Sequence, residues 1–257
     1  MGLAKRVIPV LLHRNGNLVK GKQFDSSRIV GNAMQAAEIH AARGVDELIV
    51  LDVGATASGQ VPDIEYMRRL TDCCFVPVTV GGGVKEVWQV RELLANGADK
   101  VVIGTEAIYR PELIQECADK FGSQAITVVI NTRRMMDLTP RWQVCGMGDH
   151  RPWGDASLKL IAFVELVQKM GAGEILLNSI DHDGMMNGYD IKLLKKITDG
   201  ITIPVVICGG AGDYHHMHAA LGAGASAVAA GAMFQWTEAT PKGASEYLAK
   251  RGWEMRL

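Results

Sequence analysis

The sequence has few cysteines, few aromatic residues and almost no net charge. Its five cysteines form no CxxC pair, and this odd number has no spacing typical of a metal site. Lysine and arginine total 27 against 28 acidic residues, so neither nucleic acid nor an anionic membrane is expected as a partner. No apolar run approaches the length needed to span a bilayer. Together these features predict a cytoplasmic protein with reduced thiols.

The sequence does contain one stretch that occurs twice. Residues 76–105 recur without a gap as residues 203–232, 127 positions later. Each copy has a proline, a β-branched run, a glycine cluster, an amphipathic helix, a Gly-Ala turn and a second apolar run. Residues 44–53 and 171–180 extend the match at the same offset. The chain is therefore interpreted as two similar halves, each with four strands and four helices.

Strands that alternate with helices favour a parallel sheet with right-handed crossovers, and eight such units close into a barrel. The length of 257 residues is usual for one such barrel. We therefore expect an α/β protein with a single domain over residues 1–257, a (β/α)₈ TIM barrel built from two half-barrels. The predicted strands cover residues 6–12, 48–53, 76–80, 100–104, 125–131, 174–179, 203–208 and 226–231.

Two connections are long for a barrel of this kind. Residues 13–28 are expected to form a polar loop that covers the carboxyl ends of the strands. The segment 132–155, before a helix predicted over about 156–170, is expected to be a docking loop or to hold a small hairpin. Its aromatic residues Trp142 and Trp153 would suit either a protein interface or a buried anchor for the loop.

Glycines gather where the predicted strands end, at the face that carries function in such barrels. Backbone N–H groups in a glycine-rich turn that opens a helix attract phosphate, so each half of the chain predicts one anion-binding nest. The alternative is that these glycines only permit tight turns between strand and helix. The two sets are Gly82, Gly83, Gly104 and Thr105 in the first half, and Gly209, Gly210, Gly231 and Ala232 in the second.

Four charged residues stand at the opposite ends of the predicted strands: Arg6, Glu47, Lys100 and Glu174. Each lies at the start of an apolar strand, so all four can point inward at the bottom of the barrel. Buried charges persist only when they are paired, which predicts a closed ring of salt bridges. Such a ring would either stabilise the floor or act as a gate for something small and neutral.

Three histidines in the second half, His215, His216 and His218, have a spacing that could bind a metal. No set of carboxylates or cysteines accompanies them, so a solvated helix face is the favoured interpretation. We expect no metal and no cofactor.

The chain resembles the cyclase subunit of imidazole glycerol phosphate synthase, a (β/α)₈ barrel that works with a glutaminase in histidine biosynthesis. The matching stretches include LAKRVIPVL, NLVKG, VPVTVGGGV, NGADKVVIGT, GAGEILLNSIDHDG and IPVVICGGAG. The resemblance implies that ammonia from the glutaminase enters through the charged ring. It also assigns Asp99 to the rim that faces the glutaminase, Lys20 to a mobile first loop, and Asp183 and Gly184 to the second phosphate site.

The sequence departs from that family at the positions of the cyclase chemistry. The family uses aspartates at the ends of strands 1 and 5 as general acid and base, and this chain has Leu12 and Asn131 there. Neither side chain can replace a carboxylate, and each such group contributes roughly 10²- to 10⁴-fold, so useful cyclase activity is not expected. Gly104 and Ala232 also replace the usual Asn and Ser, which leaves mainly backbone donors in the two nests.

An intact ammonia entrance beside a lost acid–base pair resembles the cyclase-like paralogues of bacterial surface-polysaccharide gene clusters. The resemblance implies a non-catalytic subunit with a glutaminase at its N-terminal rim. An ATP-using amidotransferase that makes an acetamidino sugar would then bind at the C-terminal face. One alternative is a true cyclase, a lyase of histidine biosynthesis that has recruited Asp52 or Asp181. A sugar-phosphate isomerase is a third possibility, but it would need the same lost aspartates and would have no need of the ring.

Overall fold

The computed structural model describes residues 4–135, 141–146 and 160–256. Eight parallel strands close into a barrel, and β11 pairs with β1 through Arg6 opposite Ala227. The predicted (β/α)₈ barrel is confirmed. In chain order the strands are β1 (Arg6–Arg14), β2 (Asn17–Lys22), β3 (Asp25–Asn32), β4 (Leu48–Asp52), β5 (Val78–Gly81), β6 (Lys100–Ile103), β7 (Ile126–Met135), β8 (Arg141–Cys145), β9 (Glu174–Ser179), β10 (Val205–Cys208) and β11 (Ala227–Ala230).

Helices surround the barrel, and several begin at a side chain that caps their free backbone N–H groups. Asp63 accepts a hydrogen bond from the N–H of Tyr66, and Asp213 accepts one from the N–H of His216. None of the described helices is long and apolar enough to cross a membrane. The helices are α1 (Ala33–Ala42), α2 (Ala55–Ser58), α3 (Ile64–Asp72), α4 (Val87–Ala95), α5 (Glu106–Tyr109), α6 (Glu112–Phe121), α7 (Leu160–Lys169), α8 (Ile191–Thr198), α9 (Tyr214–Gly222), α10 (Ala232–Trp236) and α11 (Pro241–Ala249).

The barrel strands bury both of their faces, which explains why they read as continuous apolar runs rather than as alternating patterns. Alternate side chains of each strand point outward to the helices, as Val7 and Leu11 of β1 do. The others point inward and form a second, smaller apolar cluster. Its buried members are Ile8, Val10, Ile49, Leu176, Val206, Ala227 and Ala229.

The backbone repeats the symmetry of the sequence at the glycines that follow β5 and β10. Gly82 and Gly209 both have positive φ, at 118° and 85°, and so do Gly83 and Gly210, at 71° and 111°. A side chain would also collide here, since a Cβ on Gly210 would lie 2.1 Å from the carbonyl oxygen of Gly188. Both halves thus require glycine for the same tight turn between strand and helix.

The expectation of a loop over residues 13–28 is wrong. β1 continues to Arg14 and turns through Asn15 and Gly16 into β2, which pairs antiparallel with β3. The resulting β2–β3 hairpin lies beside the mouth of the barrel. It places Lys20 on a strand rather than in an irregular loop.

The long connection after β7 contains the small antiparallel pairing that the sequence left open. β7 runs to Met135 and pairs with β8, with Asn131 opposite Cys145. The indole N–H of Trp142 donates to Asp190 Oδ2 over 2.7 Å, while Asp190 Oδ1 accepts from the N–H of Leu193 at the start of α8. Trp142 therefore anchors this connection to the barrel. Trp153 and residues 156–159 of the predicted helix lie outside the described residues.

Candidate functional site

Four side chains form a closed ring of ion pairs at the N-terminal ends of the strands. Arg6 bridges the two carboxylates, with one guanidinium nitrogen on Glu47 and the other on Glu174. Lys100 bridges them from the opposite side, and its Nζ lies 3.0 Å from an oxygen of each. The hydroxyl of Thr79 donates a further hydrogen bond to Glu47 over 2.7 Å. The sequence predicted this arrangement of charges, and its function as a gate stays a prediction.

The ring is a coupled electrostatic unit because its carboxylates are almost fully buried. Burial raises the pKa of Glu47, but the charges of Lys100 and Arg6 outweigh that effect, so its pKa lies below the usual value of 4.5. Burial likewise works against the charged form of Arg6, and the two glutamates reverse the effect and raise its pKa. The charged forms of Glu47 and Arg6 therefore stabilise each other across the ring.

Asp99 lies on the same rim as the ring, as the resemblance implied, and its carboxylate has a structural partner. Asp99 Oδ2 accepts the backbone N–H of Val78 over 2.8 Å at the start of β5. Asp46 does the same for Val7 at the start of β1, over 2.9 Å. These carboxylates satisfy strand-end donors that would otherwise be unpaired. Whether Asp99 also contacts a partner stays a prediction.

At the opposite end of the barrel the strands surround a cavity of about 360 Å³. Both glycine sets meet on its wall, so the structure brings together residues that are far apart in the sequence. The site residues predicted from the sequence that line it are Leu12, Lys20, Gly82, Gly83, Gly104, Thr105, Asn131, Asp183, Gly184, Gly209, Gly210, Gly231 and Ala232. Their backbone N–H groups and helix starts offer donors, but phosphate binding stays a prediction.

Leu12 and Asn131, the positions that the resemblance matches with an acid–base pair, carry an alkyl group and an amide on the cavity wall. Asn131 Oδ1 accepts a hydrogen bond from the Nδ2 of Asn178 over 3.2 Å. Asn178 was not predicted from the sequence, because only the pairing of β7 with β9 sets it opposite Asn131. The arrangement has no titrating group at either position.

Lys20 is buried inside the mouth, with 5% of its surface exposed. A Cβ on Gly231 would lie 2.1 Å from Lys20 Nζ, so the ammonium occupies space that only glycine leaves open. Burial lowers the pKa of Lys20 and raises the pKa of Asp183, and the attraction between the two charges opposes both shifts. Burial also raises the pKa of the neighbouring Cys208 thiol to about 12, so it is a neutral thiol rather than a nucleophile.

Asp183 and Gly184 hold the β2–β3 hairpin over this mouth. The carbonyl of Asp183 accepts the N–H of Gln23 over 2.9 Å, and Asp183 Oδ2 accepts the N–H of Phe24 over 3.4 Å. A Cβ on Gly184 would lie 2.1 Å from the carbonyl oxygen of Gly21. The turn assigned to the second phosphate site thus also positions the strand that carries Lys20.

The two carboxylates considered as replacements for the lost aspartates lie in different places. Asp52 lines the cavity, where its Oδ1 accepts the N–H groups of Gly54 and Ala55 over 2.8 and 3.1 Å. Asp181 accepts the N–H of Arg134 over 2.6 Å, and it is outside the set of described residues that line the cavity. Of the two, only Asp52 is placed where it could reach a substrate.

One family of known proteins matches nearly the whole barrel. The family described as "Histidine biosynthesis protein" matches residues 6–240, from the first residue of β1 to the residue before α11. The match supports the general resemblance; the finer assignment to cyclase-like paralogues and a single domain over residues 1–257 stay predictions. The chain belongs to the histidine biosynthesis protein family.

Proposed function

We propose that this barrel is a cyclase-like subunit of a cytoplasmic glutamine amidotransferase complex. It conducts ammonia from a glutaminase through the barrel to a separate amidotransferase and performs no cyclase chemistry of its own. One contrast supports the proposal: the complete ring of Arg6, Glu47, Lys100 and Glu174 at one end, and Leu12 with Asn131 in the cavity at the other. A barrel that only needed a stable floor could bury apolar residues there at lower electrostatic cost.

The ring suits a gate for a neutral molecule. Its members are paired with one another, so an ion approaching the floor meets charges that are already compensated and must lose its own hydration. Ammonia carries no charge and has a far smaller desolvation cost. Above the ring the inward side chains are mainly small or aliphatic, such as Ala227, Ala229 and Leu176, which would not trap a neutral molecule.

The acceptor of the ammonia would bind at the C-terminal face, on an ATP-using amidotransferase that converts an acetamido group to an acetamidino group on a sugar. Large apolar side chains are exposed near that face, where α5 and α10 follow β6 and β11. Tyr109 is 62% exposed and Trp236 is 47% exposed, with the guanidinium of Arg28 4.6 Å from the centre of the Trp236 ring. Exposed aromatic and arginine side chains are enriched at protein interfaces.

The second candidate is a true cyclase, a lyase of histidine biosynthesis, and the position of Asp52 on the cavity wall favours it. In that case Asp52 would act with Asp183 as the acid–base pair. Asp52 Oδ1 already accepts hydrogen bonds from two backbone N–H groups at the start of α2, so this oxygen also has a structural role there.

Turnover of the phosphoribulosyl-formimino substrate by the purified chain separates the two functions. Excess ammonium salt at alkaline pH supplies ammonia directly, so no glutaminase is needed. The conduit predicts no turnover by folded protein that still activates its glutaminase. Steady turnover would make this barrel a lyase and would overturn the proposal.

Phe75 offers a test of the glutaminase contact. It precedes β5 on the same rim as the ring and is 95% exposed, which is unusual for phenylalanine. Phe75→Ser is expected to weaken glutaminase binding by about tenfold, because exposed aromatic anchors carry much of the affinity of an interface. Binding of the two purified subunits, measured by calorimetry, checks this. Trp88→Ser at the start of α4, near the opposite face, is the matched control and should leave the affinity unchanged.

A further inference from the structure

Among the polar side-chain atoms of the described barrel strands that are buried without a hydrogen bond, two lie at inward-facing positions of adjacent strands. They are the hydroxyl oxygen Oγ1 of Thr127 on β7 and the amide oxygen Oδ1 of Asn178 on the adjacent β9, and neither has a partner within the described part of the chain. Most buried polar side-chain atoms in proteins are hydrogen-bonded, so each unpaired one calls for an explanation.

The side chain of Thr127 points into the barrel. Side chains alternate along a strand, and Val129 and Asn131, two and four residues further along β7, both line the cavity. Ile126 and Val128 belong instead to the outer core between strands and helices. Thr127 is 1% exposed, and its neighbour in the register on β9 is Glu174, a member of the charged ring. Its hydroxyl therefore lies on the inner side of the barrel, beside a member of the ring.

Asn178 occupies the other end of the same seam between β7 and β9. It pairs in the register with Asn131 on the cavity wall, four residues beyond the pair formed by Thr127 and Glu174. At about 3.3 Å per residue, the two unpaired atoms belong to positions roughly 13 Å apart along the strands. Val129 and Leu176 lie between them and are apolar. A molecule that moves along this seam thus meets a polar group at each end and an apolar stretch in between.

The buried hydroxyl of Thr127 lowers the stability of the fold, and it makes no hydrogen bond within the described residues. A valine would fill nearly the same space without burying an unpaired hydroxyl. A group that is costly for folding and free to bind points to a ligand. The ligand must be small, because the interior is filled with side chains, and it must be neutral, because Val129 and Leu176 could not solvate an ion.

We propose that Thr127 Oγ1 and Asn178 Oδ1 are the first and last hydrogen-bonding positions for ammonia between the ring and the cavity. The inference rests on the proposed conduit and adds residues to it. Ammonia can donate an N–H to either oxygen, and the hydroxyl of Thr127 can donate to its lone pair. Water can also donate to both oxygens and accept from the hydroxyl, so the experiment must distinguish transport of ammonia from a structural water.

Thr127→Val is the decisive variant in the complex of barrel, glutaminase and amidotransferase. The complex is supplied with glutamine labelled with heavy nitrogen at its amide and with unlabelled ammonium salt as a competitor, and the label in the product measures channelling. The variant is expected to reduce the labelled fraction about fivefold, the effect of one neutral hydrogen bond. Glutaminase activity and transfer from ammonium salt should be unchanged, and the melting temperature should rise. Thr127→Ser should retain channelling.

Thr132→Val is the matched control. Thr132 lies on the same strand with its side chain on the outer face, and its hydroxyl donates to the carbonyl of Asn178 over 3.2 Å. This variant should lower the melting temperature and leave the labelled fraction unchanged. A normal labelled fraction in Thr127→Val would overturn the inference, and a lowered melting temperature in the same variant would assign the hydroxyl to a structural water. Failure of the conduit itself would appear differently, as no preference for the glutamine label in the wild-type complex, and the inference would fall with it.

Discussion

Lys100→Met is expected to reduce glutamine-dependent transfer by about tenfold or more, while transfer from ammonium salt stays close to the wild-type rate. In the proposed conduit, the ring affects transfer only when ammonia arrives from the glutaminase. Lys100 contacts both carboxylates of the ring, and without it Glu47 and Glu174 share the single cation Arg6. The remaining side chains would repel one another and rearrange, because buried like charges without a counterion are strongly unfavourable.

The same variant has a predicted signature in stability. Breaking a buried ion pair by removing one partner costs about 3–5 kcal/mol. Because the pKa of Glu47 is lower in the folded chain than in the unfolded one, its ionisation stabilises the fold above the unfolded value and this contribution is lost as the pH falls through the folded value. The stability difference between wild type and Lys100→Met should therefore be largest at neutral pH and shrink well below pH 4.5. Urea unfolding at several pH values measures it.

Two controls make the result specific to the ring. Lys100→Arg keeps the cation and should retain most of the glutamine-dependent transfer. Arg68→Met on α3 removes ion pairs to Glu65 and Asp72 that are largely exposed, so it should change stability far less than Lys100→Met does and leave both transfer rates unchanged. If Lys100→Met reduced glutamine-dependent and ammonium-dependent transfer equally, the ring would be part of the fold and not a gate.

The barrel was predictable because its evidence is local and repeated. The strand predicted over residues 174–179 is β9 (Glu174–Ser179), and the other barrel strands differ from the prediction mainly at their ends. Such a strand can be predicted from local sequence alone, because it is a short apolar run between a turn and a glycine cluster. The recurrence of these runs at a constant offset then indicates how many units close the barrel.

The antiparallel strands β1, β2 and β3 were harder to predict because only one of the two turns that join them has a recognisable sequence. Asn15-Gly16 between β1 and β2 has positive φ at both residues, and this dipeptide is the strongest short signal for a hairpin. The turn between β2 and β3 uses Gln23 and Phe24 at φ values of 52° and 72°, which neither residue favours. The contacts with Asp183 stabilise that turn from a distant part of the chain.

Some residues of the candidate site could be predicted from the sequence, and others could not. The charges of the ring were visible because each stands at the start of an apolar strand, where a charge is conspicuous. Thr127 and Asn178 were not visible, because a threonine in a β-branched run is an ordinary strand residue. Only the register of β7 against β9 shows that their polar atoms are buried together and unpaired. Burial and hydrogen bonding depend on neighbours that the sequence does not identify.

Restoring the two lost carboxylates gives the largest expected gain. Leu12→Asp combined with Asn131→Asp is expected to raise turnover of the phosphoribulosyl-formimino substrate, in excess ammonium salt, by about 10²-fold or more over either single variant. Both side chains already line the cavity, so the new carboxylates would face the substrate. The carboxylate introduced by Asn131→Asp can still accept the hydrogen bond that Asn178 donates to Asn131 Oδ1, which keeps that position folded.

Each single variant should remain inactive, since one proton-transfer role stays empty, and activity from Asn131→Asp alone would contradict this account. Leu12→Asn with Asn131→Asp is the matched control, because it adds a polar group of similar size that cannot titrate.

If the double aspartate variant folds and still fails to turn over the substrate, the loss extends beyond the acid–base pair. Gly104 and Ala232, which leave the nests with backbone donors, would then be the next positions to restore, as Gly104→Asn and Ala232→Ser. Recovery only with all four changes would mean that the cavity lost its hold on phosphate together with its chemistry.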